Sequence, residues 1–365
     1  MQKKYKVTVI GAGDRGSCYM NALKKYYDGI IDWETVCDIQ PDRMENAFTE
    51  FGFKNKEESW EKAIRSSRAD FVVIAVPAYF HCDMAMFAMR CGSHVLTEKP
   101  MDLFLAKAFA LKECAEQTGK AVAIGMQYRN LPQYRAAKHA IDQNLFGKNL
   151  MIHYTDIRET RPKIAMHDAV YGNGGSMVDM ACHLFDLMRW YFNSDPVRVS
   201  CQWRANAVDR PMLKSIGTKA PDACFMIVEY ENGSSGNIMM NWGLPEGLET
   251  SACTITGSEG LFTVTGGLCS GDSPFCVLTK GGKSIQVDNL PEDADDLINP
   301  ERAVIKHFLA EIEGEGKSQV SVEHGIICLA TSMAAIRSGA LGRPVTLEEI
   351  YKLRPTIKDC MDAME

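Results

Sequence analysis

The run VTVIGAGDRG, residues 7–16, constrains this chain more than any other. Gly11, Gly13 and Gly16 fall in the order G-x-G-x-x-G, after the apolar run YKVTVI (5–10) and before a helical pattern from about Asp14 to Tyr27. Strand, tight glycine turn and helix in that order open a βαβ unit. The alternation then repeats. WETVCD (33–38), FVVIAV (71–76), SHVLTE (93–98) and AVAIGM (121–126) read as strands, with helical patterns such as HCDMAMFAMRCG (81–92) between them. Short apolar strands alternating with helices predict an α/β fold with a doubly wound parallel sheet.

After Met126 the texture changes. A helix is expected over 132–144 and a long strand over NLMIHYTDI (149–157). From about Val197 to Val287 the chain is mostly strand-like: VRVSCQW, ACFMIVEY, GNIMMNW, SACTITG, LFTVT and FCVLT. Turn pairs such as Asn232-Gly233 and Gly281-Gly282 separate several of them. That pattern predicts an α+β domain with a large, open, mostly antiparallel sheet. An acidic loop, DNLPEDADD (288–296), precedes closing helices near 300–313 and 322–339. The length, 365 residues, suits two domains. The boundary is expected at Met126, giving 1–126 and 127–365.

Composition narrows the class of partner. The formal net charge is −7. No basic patch suited to phosphodiesters stands out, so nucleic acid is not an expected partner. Thirteen cysteines, an odd number without a C-x-x-C pair, argue against a disulfide framework and for a reducing, cytoplasmic setting. The basic start MQKKYK runs into an apolar stretch too short for a signal h-region, and no run approaches about 18 apolar residues, so no membrane partner is expected either.

The glycine loop has a specific chemistry. Gly11 permits the tight turn, Gly13 lets the backbone approach a pyrophosphate, and Gly16 lets helix and strand pack closely. Ala12, Asp14 and Arg15 complete the loop. The helix N-terminus then offers free N–H groups and its positive dipole end to phosphates. Asp38 ends the second strand, where a carboxylate suits adenosine ribose hydroxyls and repels a 2′-phosphate. NAD is therefore favoured as cofactor. Arg15 and Arg43 lie near enough in sequence to keep NADP open.

Two further stretches carry candidate chemistry. HVLTEKP places Lys99 just beyond a strand, where doubly wound folds bind ligands. A lysine there can stabilise charge developing on a substrate oxygen, or it can simply pair with Glu98. GNGGSMVDMACHLFDLMRW (172–190) reads as a glycine turn entering a helix that carries Asp179 and His183 four residues apart. That spacing puts both on one helical face, in a stripe with Asp186 and Trp190. Met180, Cys182 and Leu187 flank the stripe where a solvated face would carry Lys and Glu, which suits a cleft. A metal would need a third ligand, and the face offers no second histidine. Acid–base work is the favoured reading, because an unperturbed imidazole titrates near pH 6.5. Trp242 is a candidate sugar-stacking ring, with a core tryptophan the favoured alternative.

Taken together, VIGAGDRG, AVPAYFHCDMAMFAMRCGSHVLTEKP, GMQYRNLPQYRAAKHAIDQNLFGK and GGSMVDMACHLFDLMRW resemble, in order, the blocks of the Gfo/Idh/MocA family, that is, glucose–fructose oxidoreductase and inositol dehydrogenase. The resemblance covers nearly the whole chain. It implies an N-terminal Rossmann domain and a C-terminal domain whose sheet makes homodimer or homotetramer contacts. It places the family's catalytic lysine, aspartate and histidine on Lys99, Asp179 and His183. It places Pro77, His81 and Glu98 on the nicotinamide side, Gln127 with the cofactor, and Tyr128 and Arg129 toward substrate. Ala78 departs from the asparagine often found there, so one polar contact near the cofactor ribose is expected to be missing.

The resemblance implies hydride transfer between a secondary alcohol of a sugar or polyol and NAD(P). His183 would serve as general base, Lys99 would hold the oxygen, and Asp179 would orient substrate or imidazole. Two alternatives remain open at this level. One is an NAD-recycling glycosidase acting by transient oxidation and elimination, with Tyr128 as an extra acid or base. The other is a regulator that binds dinucleotide without chemistry, which need not keep the trio.

Overall fold

The computed structural model describes residues 4–265, 275–286 and 299–363. Its contacts divide the chain into two compact units. The first comprises Met1–Asp102, Ala106–Gln127 and Asn299–Ile326, and the second Leu103–Leu105, Tyr128–Ile298 and Ile327–Glu365.

In the first unit the expected alternation is present. It runs β1 (Tyr5–Ile10), α1 (Asp14–Tyr27), β2 (Ile31–Cys37), α2 (Pro41–Phe51), β3 (Asn55–Glu57), α3 (Trp60–Ser67), β4 (Phe71–Ile74), α4 (His81–Arg90), β5 (His94–Thr97), α5 (Leu105–Thr118) and β6 (Val122–Ile124). All six strands are parallel, in the order β3-β2-β1-β4-β5-β6. β1 therefore sits between β2 and β4, where the strand order reverses. In doubly wound sheets that crevice, at the carboxyl ends of the strands, is where ligands bind. Every residue of β4 is buried, as strands covered on both faces require.

The single boundary expected at Met126 does not hold. Helix Pro300–Glu313 returns to the first unit. It places Val304, Ile305, Phe308 and Leu309 in the same apolar cluster as Tyr5, Val7 and Phe71. The Phe308 ring meets Phe71 edge-on at 5.5 Å. Each such side chain contributes about 1.5–3 kcal/mol on burial, enough to draw a distant helix back to this sheet. Sequence distance carried no sign of that.

The second unit holds α6 (Pro132–Asp142), β7 (Met151–Glu159), α7 (Ser176–Asp179), α8 (Ala181–Phe192), β8 (Pro196–Arg204), β9 (Ala223–Tyr230), β10 (Ser235–Leu244), β11 (Thr250–Thr256), β12 (Gly260–Thr265), β13 (Phe275–Lys280), β14 (Lys283–Gln286) and β15 (Val345–Thr346). The strands form one sheet in the order β14-β13-β12-β11-β7-β10-β9-β8-β15. All its pairs are antiparallel except β7 with β10. One face packs on helices. At Gly236 of β10 an added Cβ would lie 2.0 Å from Met188 Sδ of α8, so the helix rests directly on the sheet. The expected acidic loop 288–296 and the strand end at Val287 lie outside the described residues.

Two expectations change. Residues 176–192 do not form one helix: α7 ends at Asp179 and α8 starts at Ala181. The Cys182 thiol reaches back to the Asp179 carbonyl, and the His183 N–H bonds Met180 O three residues back rather than Asp179 O four back. Helix Val322–Leu341 is, by length and composition alone, apolar enough to cross a membrane, which reading the sequence by runs of apolar residues missed. About two thirds of that window is buried, as in core helices of soluble proteins.

Candidate active site

In the first unit a cavity of about 430 Å³ opens at the carboxyl ends of β1, β2 and β4, lined among others by Gly11, Gly13, Asp38, Arg43, Val76 and Pro77. Backbone geometry explains the glycines. Gly11 has φ +94°, and a Cβ there would lie 2.4 Å from Ala75 O. A Cβ on Gly16 would lie 1.9 Å from Gly11 O. Gly13 caps α1 with no side chain over its first N–H groups. Asp14 is exposed in the first turn. Asp38 binds the loop from below: its Oδ2 accepts from Ala12 N at 2.7 Å and its Oδ1 from Gln40 N at 2.8 Å. The carboxylate thus fixes the glycine turn and still lines the cavity.

Those features fit a dinucleotide. The cradle is bare where a Cβ would intrude, N–H groups face it, and a carboxylate stands at the end of β2. The buried Oε1 of Gln127 also meets no hydrogen-bond partner within the chain, as suits an atom awaiting a donor.

Three residues expected to touch the cofactor have other engagements. Arg15 does not line the cavity. Its Nε donates to Glu98 Oε1 at 2.9 Å, its Nη2 pairs electrostatically with the same oxygen at 2.8 Å, and its Nη1 donates to Glu301 Oε1 at 2.9 Å. Of the two arginines that kept NADP open, only Arg43 faces the cradle. Glu98 is buried within this network. Burial pushes its carboxyl up, but Arg15, then Lys99, outweigh that and hold it below the usual carboxylate range. His81 is buried with both ring nitrogens 2.8 Å from backbone carbonyls, Nδ1 from Pro100 O and Nε2 from Val76 O. It clasps the turn after β5 to the turn after β4 and is not among the cavity's lining residues. Burial draws its imidazole below the usual histidine range despite both carbonyls. Lys99, half-buried, follows β5, with its backbone N–H on Glu98 Oε2 at 3.1 Å and a cis bond to Pro100. Ala78 is fully buried.

The second unit gathers the other candidates. Asp179 and His183 are each 2% exposed. Asn173 Nδ2 donates to Asp179 Oδ1 at 2.8 Å. The Tyr128 ring lies flat on the His183 imidazole, centroids 3.9 Å apart and planes 4° apart. Tyr134 stacks in turn on Tyr128 at 5.8 Å and 14°. The Tyr128 hydroxyl donates to Met180 Sδ at 3.7 Å. Arg129 does not point free toward a substrate: its Nε and Nη2 bond Asp186 Oδ2 and Oδ1 at 2.8 and 2.6 Å. Trp190 takes the cations of Arg129 and Lys138 over its ring at 5.6 and 5.8 Å. The expected polar stripe of α8 is therefore the seam on which the segment from Tyr128 to Lys138 packs. Trp242 is a core ring, 2% exposed, donating to Asp156 Oδ2 at 2.8 Å.

Sequence reading passed over Asn173, Glu301 and the Tyr128 stack. Asn173 sits in the quoted glycine turn, six residues before Asp179, so a contact between the two was within local reach. Glu301 and the stack depend on contacts far apart in sequence.

A parallel six-stranded sheet with this glycine cradle, joined to a second unit with a large mixed sheet, defines a Rossmann-type dinucleotide enzyme of two units. The family descriptions that match are "Oxidoreductase family, NAD-binding Rossmann fold" over residues 5–126 and "GFO/IDH/MocA C-terminal domain" over 134–263. The chain belongs to the Gfo/Idh/MocA family of NAD-binding oxidoreductases. Among curated relatives, it is 26% identical over 352 residues to scyllo-inositol 2-dehydrogenase (NAD(+)) of Bacillus subtilis, covering 95% of this chain and 98% of that one. It is 28% identical over 206 residues to glucose-6-phosphate 3-dehydrogenase of the same organism, covering 55% and 57%. Among solved structures, myo-inositol 2-dehydrogenase from Lactobacillus plantarum shares the fold at TM-score 0.76 and 21% identity, over 94% of this chain and 99% of that one.

Proposed function

We propose that this protein oxidises a secondary hydroxyl of a cyclic polyol or sugar, with His183 as general base and Lys99 and Asp179 assisting. The observation that carries the reading is a buried histidine, held flat by an aromatic ring, in a chain that belongs to an NAD-binding oxidoreductase family. The relatives named for inositol and glucose 6-phosphate support the substrate class, since both compounds offer ring carbons bearing secondary hydroxyls.

NAD, when bound, supplies the hydride acceptor. Asp38 and the turn from Gly11 to Gly16 hold it. His183 takes the hydroxyl proton as the C–H electron pair leaves the carbinol carbon and the carbonyl forms. Lys99 donates to the same oxygen and stabilises its developing negative charge. Asp179, fixed by Asn173, orients the substrate or the imidazole. Positioned proton transfer of this kind contributes about 10²–10⁴-fold.

The test is a panel of inositols, hexoses and hexose phosphates, followed by NADH absorbance with wild type and His183→Ala. Wild type should reduce NAD on at least one cyclic polyol or sugar, and His183→Ala should lose about 100-fold or more in kcat/KM. Near-normal turnover in the variant would remove His183 from the mechanism.

We also propose that the protein is a homo-oligomer through the open face of its large sheet. Phe225, Ile227 and Met239 stand exposed there, Phe225 by 53%, on neighbouring strands β9 and β10.

A further inference from the structure

We propose that Tyr128 is a positioning residue for His183. It fixes the plane of the imidazole and favours the charged ring that forms when the base takes its proton. This rests on the reading of His183 as general base. A histidine ring turns easily, because its χ2 torsion is broad and roughly two-fold rather than staggered. Burial excludes water from His183 but does not choose the plane in which its nitrogens lie. Contact across a whole ring face does. At 3.9 Å and 4° the Tyr128 ring covers one side of the imidazole, so both nitrogens must present their lone pair or proton in a plane parallel to the phenol.

The phenol is itself held on several sides. Tyr134 backs it at 5.8 Å, and its hydroxyl meets Met180 Sδ. The next residue, Arg129, is forked onto Asp186, three residues beyond His183 on the same helix. Two adjacent residues of one turn therefore grip two positions three residues apart on α8. The imidazole cannot tilt toward Tyr128 without moving that turn.

The form of the stack also matters. A cation over an electron-rich ring face is attracted to it, most strongly where water is excluded. Imidazolium is what the base becomes as it removes the proton, so the phenol face at 3.9 Å stabilises the ring in the state it reaches during the reaction. The other charged groups of the cluster have partners of their own: Asp179 has Asn173, and Arg129 has Asp186. The Cys182 thiol donates to the Asp179 carbonyl.

The experiment compares the full-length wild type, Tyr128→Phe, Tyr128→Leu and His183→Ala on the best substrate of the panel. NAD affinity is read separately by NADH fluorescence. Phe keeps the ring face and should restore kcat to within about twofold. Leu keeps bulk but removes the face, and should lower kcat about tenfold, the effect of one desolvated cation–π contact, with NADH affinity unchanged. A second readout does not depend on turnover. In histidine-labelled protein, the ring-carbon proton signal absent from His183→Ala should be shifted by the tyrosine ring current in wild type and Tyr128→Phe, and released in Tyr128→Leu. Wild-type kcat in Tyr128→Leu beside an inactive His183→Ala would overturn the positioning role. Full turnover in His183→Ala would overturn the base assignment itself, and the positioning role with it.

Discussion

Asp186 illustrates how a single residue changes meaning between sequence and structure. In sequence it extends a polar stripe below His183. In the structure it is 1% exposed and forked to a buried Arg129. Removing one member of a buried pair strands the other charge, which costs about 3–5 kcal/mol, whereas replacing both with apolar groups is often neutral. Asp186→Ala should therefore lower the thermal midpoint markedly, and Arg129→Met with Asp186→Leu should recover much of it, as calorimetry would show. Glu98 gives a second test. Its folded pKa lies below the usual carboxylate value, so the stability it contributes is present above about pH 4.3 and is lost as pH falls through the depressed value. Arg15→Met removes the main counter-charge and leaves Lys99 and the Tyr19 hydroxyl to oppose burial. Its acid unfolding, followed by circular dichroism, should begin at a higher pH than in wild type.

Among the elements, the glycine loop was legible down to individual residues, because its constraints are local. A strand, a turn with positive φ and a helix start all lie within one short stretch. Gly16→Ala sets a Cβ 1.9 Å from the Gly11 carbonyl, so it should weaken NAD binding at least tenfold by titration calorimetry while the second unit's melting is unchanged. The helix carrying His183 was legible in place but not in form. Spacing put Asp179 and His183 on one continuous helix, and the chain instead breaks at Met180. At the break the His183 amide bonds Met180 O and the Cys182 thiol bonds Asp179 O, contacts that a helical wheel does not represent. Strands β7 to β13 of the large sheet were found within a few residues of their bounds, because alternating burial repeats every second residue, whereas the short β14 and β15 were not. Their pairing order was not, since β7 lies between β10 and β11, strands far from it in sequence.

At the scale of the whole molecule, the large sheet exposes apolar side chains on one face among the described residues. Its exposed Phe225, Ile227 and Met239 are interspersed with short polar groups such as Thr155 and Asn237, a mixture suited to a second copy of the same surface. Phe225→Glu combined with Ile227→Lys should shift the species seen in sedimentation velocity toward monomer. Retention of the wild-type species would exclude that face. The class of fold, the cofactor cradle and the identity of Lys99, Asp179 and His183 as candidates could all be read from the chain, because each depends on neighbours a few residues away. The return of Pro300–Glu313 to the first unit, the inward turn of Arg15 and the phenol laid flat on His183 could not. Each joins positions tens to hundreds of residues apart, and such contacts follow from packing in three dimensions, on which local residue patterns place no constraint.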